Sequence, residues 1–214
     1  MNVKLATCGL LTLVVSGAIV ASPFIDRADA QSQCPRLTSQ TRNSAPVDRG
    51  LTTEIDRTFI EMMIPHHQGA NEMAQMALER AKNPKVKELA QSIITEQTGE
   101  IDRMRNWYGQ WYGTEVPTMS ASMQGHMDRA MMMSMMQQEQ MDREMMAALR
   151  NADDFDAEFL RQMTRHHQMA TMMAGMVVNS AKHPETRELA RSIIQSQNAE
   201  IAHMQQLLAQ VTQQ

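Results

Sequence analysis

Phe59-Ile60-Glu61-Met62-Met63-Ile64-Pro65-His66-His67-Gln68-Gly69-Ala70 returns one hundred residues later as Phe159-Leu160-Arg161-Gln162-Met163-Thr164-Arg165-His166-His167-Gln168-Met169-Ala170. The correspondence continues outward. Ala81-Lys82 meets Ala181-Lys182, Glu88-Leu89-Ala90 meets Glu188-Leu189-Ala190, and Ser92-Ile93-Ile94 meets Ser192-Ile193-Ile194. Between 56 and 104 the two copies share 23 identities in 49 positions without a gap. A repeat of this length marks one structural unit used twice. Its apolar residues recur at helical spacing, with no alternating pattern that would suit a strand. Each copy therefore reads as a helical hairpin. The first helix is predicted from Thr53 to Ala81 and from Asp153 to Ala181, with Thr53 and Asp153 as N-caps. The second starts at Asn83-Pro84 and His183-Pro184, where proline's missing N–H is harmless. It runs to Tyr112, stopped by Gly113, and in the second copy to Val211. Pro65 should kink the first helix, and Arg165 leaves its counterpart straighter. Two such hairpins pack most simply as an all-α four-helix bundle.

The flanking segments read differently. Lys4, an apolar run from Leu5 to Ala21 and small residues at Ala28 and Ala30 form a signal peptide over 1–30, cut after Ala30. Export to the periplasm or the medium follows. Residues 31–50 read as a disordered tether holding the lone Cys34. The first hairpin then spans 51–113, a Met-rich connector 114–152 and the second hairpin 153–214, with 51–214 as one domain. A loop followed by a short helix near Gln137–Leu149 is expected in the connector. The net charge of −4 offers no basic surface for nucleic acid, and no segment after the leader suits a membrane span.

Methionine occurs 23 times, whereas Phe, Trp and Tyr number 4, 2 and 2. Ordinary cores use methionine as a gap-filler, so this excess asks for another use. A thioether is soft and uncharged, and it suits monovalent copper or silver, with imidazole as a natural co-ligand. Thiols would serve as well but oxidise outside the cytoplasm. Met131, Met132, Met133, Met135 and Met136 would cover every face of a helix, more than a core can bury. Met123, His126, Met127 and Met131 are spaced to converge. Met169, Met172 and Met176 form an outward row, which the first copy keeps only at Met76.

His66 and His166 fall on the core stripe with Met73 and Met173, flanked by His67 and His167. Gln97, Glu100 and Met104, and their counterparts Gln197, Glu200 and Met204, lie on the facing stripe. An internal His, Glu, Gln and Met cluster is expected in each half, since buried polar groups need partners. Adjacent histidines diverge by about 100° on a helix, so each pair is either a ligand set or a hydrogen-bonded core network. His203 is a further candidate ligand. No nucleophile with a base and no phosphate loop is visible, which argues for a binding protein and against an enzyme. Two other readings stay open: a chaperone or scaffold using sticky methionines, and a di-iron carboxylate bundle, for which Glu200-Ile201-Ala202-His203 supplies one half-motif while Arg103 stands at the other.

Met63-Ile64-Pro65-His66-His67-Gln68-Gly69-Ala70, followed by Glu88-Leu89-Ala90, Ile93-Ile94, Gln97 and Glu100-Ile101, and repeated from His166-His167 onward, resembles a widespread bacterial family long catalogued as a domain of unknown function. With its Met-rich middle the chain is similar to the exported, CopM-like members, over about residues 54–208. The resemblance implies a ferritin-like topology and periplasmic copper(I) sequestration or delivery; silver(I) is expected by the same soft chemistry, with copper(II) and a copper-exporting or copper-accepting protein as further expected partners. It carries the family's histidine motif onto His66, His67, His166 and His167. The second copy departs from it at Arg165 and Met169.

Overall fold

Helix α1 runs Arg49–Arg80, α2 Pro84–Tyr112, α3 Arg129–Arg150, α4 Phe155–Val177 and α5 Pro184–Val211. The computed structural model describes residues 49–118 and 129–213, apart from the side chains of 49–54, 130 and 131. Among the described residues there is no strand, and no helix is long and apolar enough to cross a membrane. The predicted leader and most of the tether lie outside the described residues, as do Met123, His126 and Met127.

The predicted second helices hold. Asn83 caps α2 by accepting the Lys85 N–H, Pro84 opens the helix, and Gly113 closes it at φ 69°. His183 occupies the Asn83 position in α5 without a side-chain cap. The first helices need correction. Helix α1 begins at Arg49, so Thr53 lies inside it. In α4 the cap is Asp154, accepting the Ala157 N–H, one residue beyond the expected Asp153. Helix α4 also ends at Val177, short of Ala181. Pro65 sits inside an uninterrupted α1. The connector helix is far longer than expected, since the methionine run continues it back to Arg129. Methionine is a good helix former, and nothing between 131 and 141 breaks a helix.

Helix α1 packs along α2, α4 along α5, and α1 against α4, while α3 lies over both α1 and α4. Two apolar clusters result. One joins Phe59, Met63, Ile101 and Met104 of the first hairpin to Met173, Val177, Leu189 and Ile193 of the second. The other joins Met73, Ala77, Leu89 and Ile93 to Phe159, Met163, Met204 and Leu207, with Met145 and Leu149 of α3. The start of α1 thus meets the end of α4, and the converse, so the two helices run antiparallel.

Reciprocal caps fasten the hairpins. The buried Asp56 carboxylate accepts the N–H groups of Lys182 and His183 at 2.7 and 3.1 Å. Asp156 does the same for Lys82 and Asn83 at 3.0 and 2.7 Å. Each acid sits at the positive start of the other hairpin's second helix, where unpaired N–H groups point outward.

Candidate metal centre

Between the two apolar clusters lies a layer of imidazoles. His66, His67, His166 and His167 are all buried, together with Gln97, Gln197 and Glu100. The core stripe puts one histidine of each pair toward the opposite hairpin. The antiparallel meeting of α1 and α4 brings the His66 and His166 rings to 3.8 Å between centroids, inclined by 42°. The flanking histidine turns to its own hairpin: His67 Nε2 is 2.7 Å from Glu100 Oε2, and His167 Nε2 is 2.8 Å from Glu200 Oε2. The expected pairing of histidine with the partner helix's glutamate is therefore met in both copies. The closest imidazole pair, His66 with His166, joins the two copies and was not anticipated.

Burial favours uncharged forms here. Desolvation lowers His67 to about 3, with the neighbouring His167 adding to the fall. His66 and His166 are held well below the ordinary histidine value, again chiefly by desolvation. Desolvation lifts Glu100 to about 7, against the opposing pull of Arg103. Both ring nitrogens of His66 and of His166, and Nδ1 of His67 and His167, have no hydrogen-bond partner among the described residues. A neutral imidazole carries one N–H and one free ring-nitrogen lone pair, so His66 and His166 can each offer one nitrogen to a metal or a polar donor.

Helix α3 creates two grooves beside this layer. The groove against α1 is lined by Met62, Gly69, Glu72, Met135, Glu139 and Asp142. The groove against α4 is lined by Met141, Met145, Met169 and Met172, with Glu144 at its side. The first mixes carboxylates with thioethers, and the second carries four methionines beside Glu144, Gln162, Gln168 and Arg165.

The candidate ligands divide by exposure. Met73, Met104, Met173 and Met204 are buried within the apolar clusters. Met135 is also buried, Met132 is half-buried, and Met76 is half-buried with its sulfur 3.9 Å from the Arg80 guanidinium. Met172 and Met176 are each 65% exposed, Met133 62% and Met136 43%. Met169 is half-buried on the groove wall, although the outward row was expected to be exposed throughout. His203 lies exposed beside Glu200 in a surface recess. The side chain of Met131 lies outside the described residues. No set of three or more His, Cys, Asp or Glu side chains converges on one point among the described residues. Sequence reading passed over Met141 and Met145, whose i, i+4 spacing places them on one face of α3. It also passed over Asp142, which no spacing singles out.

A repeated helical hairpin enclosing an imidazole layer, with methionines along the grooves outside, defines a small all-helical scaffold. The family described as domain of unknown function DUF305 matches residues 56–208, and the chain belongs to it. Among solved structures, CopM in the Cu(I)-bound form is 42% identical with a TM-score of 0.58, covering 72% of this chain and 96% of that one. CopM in the Cu(II)-bound form is 43% identical at a TM-score of 0.59, with the same coverage. A DUF305 fragment from Deinococcus radiodurans is 28% identical at 0.57, covering 74% and 98%. An uncharacterized protein of Acanthamoeba polyphaga mimivirus is 39% identical over 51 residues, which are 24% of this chain and 34% of that protein. The match thus spans about a third of that relative's length.

Proposed function

We propose that this protein binds copper(I), and silver(I) by the same chemistry, to sequester or deliver the ion in the periplasm and so support copper resistance. It acts as a metal buffer and not as an enzyme, on a ferritin-like arrangement of its two hairpins over 51–214. The observation that carries the reading is the groove between α3 and α4, walled by Met141, Met145, Met169 and Met172. Thioethers retain a soft monovalent ion without proton loss, and exchange it by replacing one sulfur with another. The exposed Met172 and Met176 extend this surface outward and suit hand-over to a copper-accepting protein. The CopM structures solved with Cu(I), Cu(II) and silver support the choice of ion. The leader predicted over 1–30 supports export.

In this reading the buried Met73, Met104, Met173 and Met204 serve packing, and His67 and His167 are structural through their glutamates. The connector's Met123, His126 and Met127 supply further soft ligands in sequence to Met131 and Met132.

Replacing Met141, Met145, Met169 and Met172 together by leucine conserves volume, so the fold should survive at a cost of under about 1.5 kcal/mol per site. Anaerobic competition against a copper(I) chelator should show the tightest site gone. Undiminished affinity in that variant refutes the groove as the binding place.

A further inference from the structure

Met172 is the outermost sulfur of the groove between α3 and α4. Of the four groove methionines, Met145 is buried, Met141 and Met169 are half-buried, and Met172 is exposed. Met176 stands one helical turn further along the same face of α4 and is equally exposed. The surface between them is open, since a Cβ on Gly175 would meet nothing within 4 Å. The methionines of the apolar clusters are the opposite case: Met63, Met104, Met163 and Met204 are fully buried.

A thioether is oxidised where an oxygen donor can reach it, and the product is a polar sulfoxide. In an apolar cluster that new oxygen would lack a partner and would cost the fold dearly. On Met172 it faces water and a groove that also carries Arg165 and Gln168, whose N–H groups suit an S=O acceptor. The fold thus tolerates the modification at the place where it is easiest to make. Met172 also joins two properties that the other methionines keep apart: it lines the groove, and it meets solvent. Met133 and Met136 are exposed on α3, but neither lines that groove.

We propose that Met172, with Met176 beside it, is a reversible oxidation site for peroxides, and that its sulfoxide loosens copper(I) in the groove. The sulfur lone pair attacks one oxygen of hydrogen peroxide. The S–O bond forms, the O–O bond breaks and water leaves; sulfur is oxidised by two electrons and the peroxide is reduced by two. In the reverse step a sulfoxide reductase spends two thiols, which become a disulfide while the oxygen leaves as water. The sulfoxide has given up soft-donor character, so the groove loses a ligand that suits a monovalent soft ion. The effect on copper rests on the copper reading; the place of oxidation does not.

The test treats the metal-free full chain, kept in chelator, with hydrogen peroxide. Peptide mapping by mass spectrometry locates each added oxygen, and circular dichroism follows the melt. Met172 and Met176 should take oxygen well before Met63, Met104, Met163 and Met204, with the melt still cooperative. After peroxide is removed, anaerobic competition against a copper(I) chelator should show affinity lowered by at least about 10-fold, a loss that removal of an outer-sphere partner alone can reach. Sulfoxide reductases for both epimers, supplied with a dithiol, should restore it. Met172→Leu cannot take oxygen at this position, so whatever its starting affinity, the same treatment should lower it far less. Equal uptake at exposed and buried methionines of the folded protein overturns the site. Affinity unchanged by oxidation at Met172, or an equal loss in Met172→Leu, overturns its hold on copper. Untreated protein that takes up no copper(I) refutes the copper reading instead, and the oxygen map, read without metal, distinguishes that failure.

Discussion

At the scale of single residues, the imidazole layer couples stability to pH. His66, His67 and His166 are less basic in the folded chain than the ordinary value of 6.5, because burial penalises their charge. Their stabilising share is present above that value and lost as pH falls, since the unfolded chain takes up protons that the folded chain refuses. Glu100 and Asp142 act oppositely. Desolvation raises Glu100 to about 7 and Asp142 to about 6, and raises Glu96 as well, so the share of these acids is present in acid and lost as pH rises. Asp142 has half lost its share by about pH 6, so toward the ordinary imidazole range the three histidines prevail and stability climbs with pH. The urea midpoint of metal-free protein, kept in chelator, should climb from pH 5 toward 6.5 and level off above 7. A midpoint that falls as pH rises across that range contradicts neutral, desolvated imidazoles at His66, His67 and His166. A second residue-scale prediction concerns Tyr108, whose hydroxyl donates to Glu61 at 2.5 Å and accepts from Arg57 at 3.1 Å. Tyr108→Phe should cost about 1–3 kcal/mol in denaturant melts, because it strips a partner from a buried carboxylate. The histidine–glutamate contacts were legible because both partners sit on one hairpin, at spacings a helical wheel displays. The contact of His66 with His166 was not, since it depends on the direction in which α1 crosses α4.

At the scale of elements, the decisive devices are the crossed caps. Asp156→Ala should leave the Lys82 and Asn83 N–H groups without their acceptor, lowering stability by about 2–3 kcal/mol. Asp56→Ala should do the same at Lys182 and His183, and thermal melts of the two variants should show similar losses. A variant that melts like the wild type removes the caps from the account. The identity of Asp56 with Asp156 was visible in the repeat, but its role was not. A cap supplied by another hairpin has no local spacing to betray it, whereas Asn83 and Gly113 announce themselves beside their own helix. The length of α3 was missed for a different reason. A run of methionines has no apolar face and no polar face, so periodicity is silent where propensity alone carries the helix to Arg129.

At the scale of the whole molecule, each apolar cluster takes its two halves from different hairpins. Neither hairpin owns a complete core. Residues 49–113 expressed alone should therefore fail to fold as a monomer, giving weak helicity at micromolar concentration by circular dichroism. A cooperative melt of that isolated monomer would show the hairpins to be independent. The repeat announced two hairpins and their helices, and the methionine excess is the sequence feature on which the proposed soft-metal chemistry rests. The sulfur-rich groove was out of reach of sequence reading, because its walls come from α3 and α4 and only the docking of α3 brings them together.

The crossed contacts have a historical side. Asp56 reaches the second copy as Asp156 reaches the first, and His66 meets His166. Such mutual gestures are what two identical chains make about a twofold axis. A gene half this size would have encoded a workable homodimer, and tandem duplication would have tied its subunits together. Once joined, the halves no longer had to stay alike, and they now differ at Gly69 and Met169. Symmetry inherited from a dimer thus became the freedom to build two unlike flanks on one scaffold.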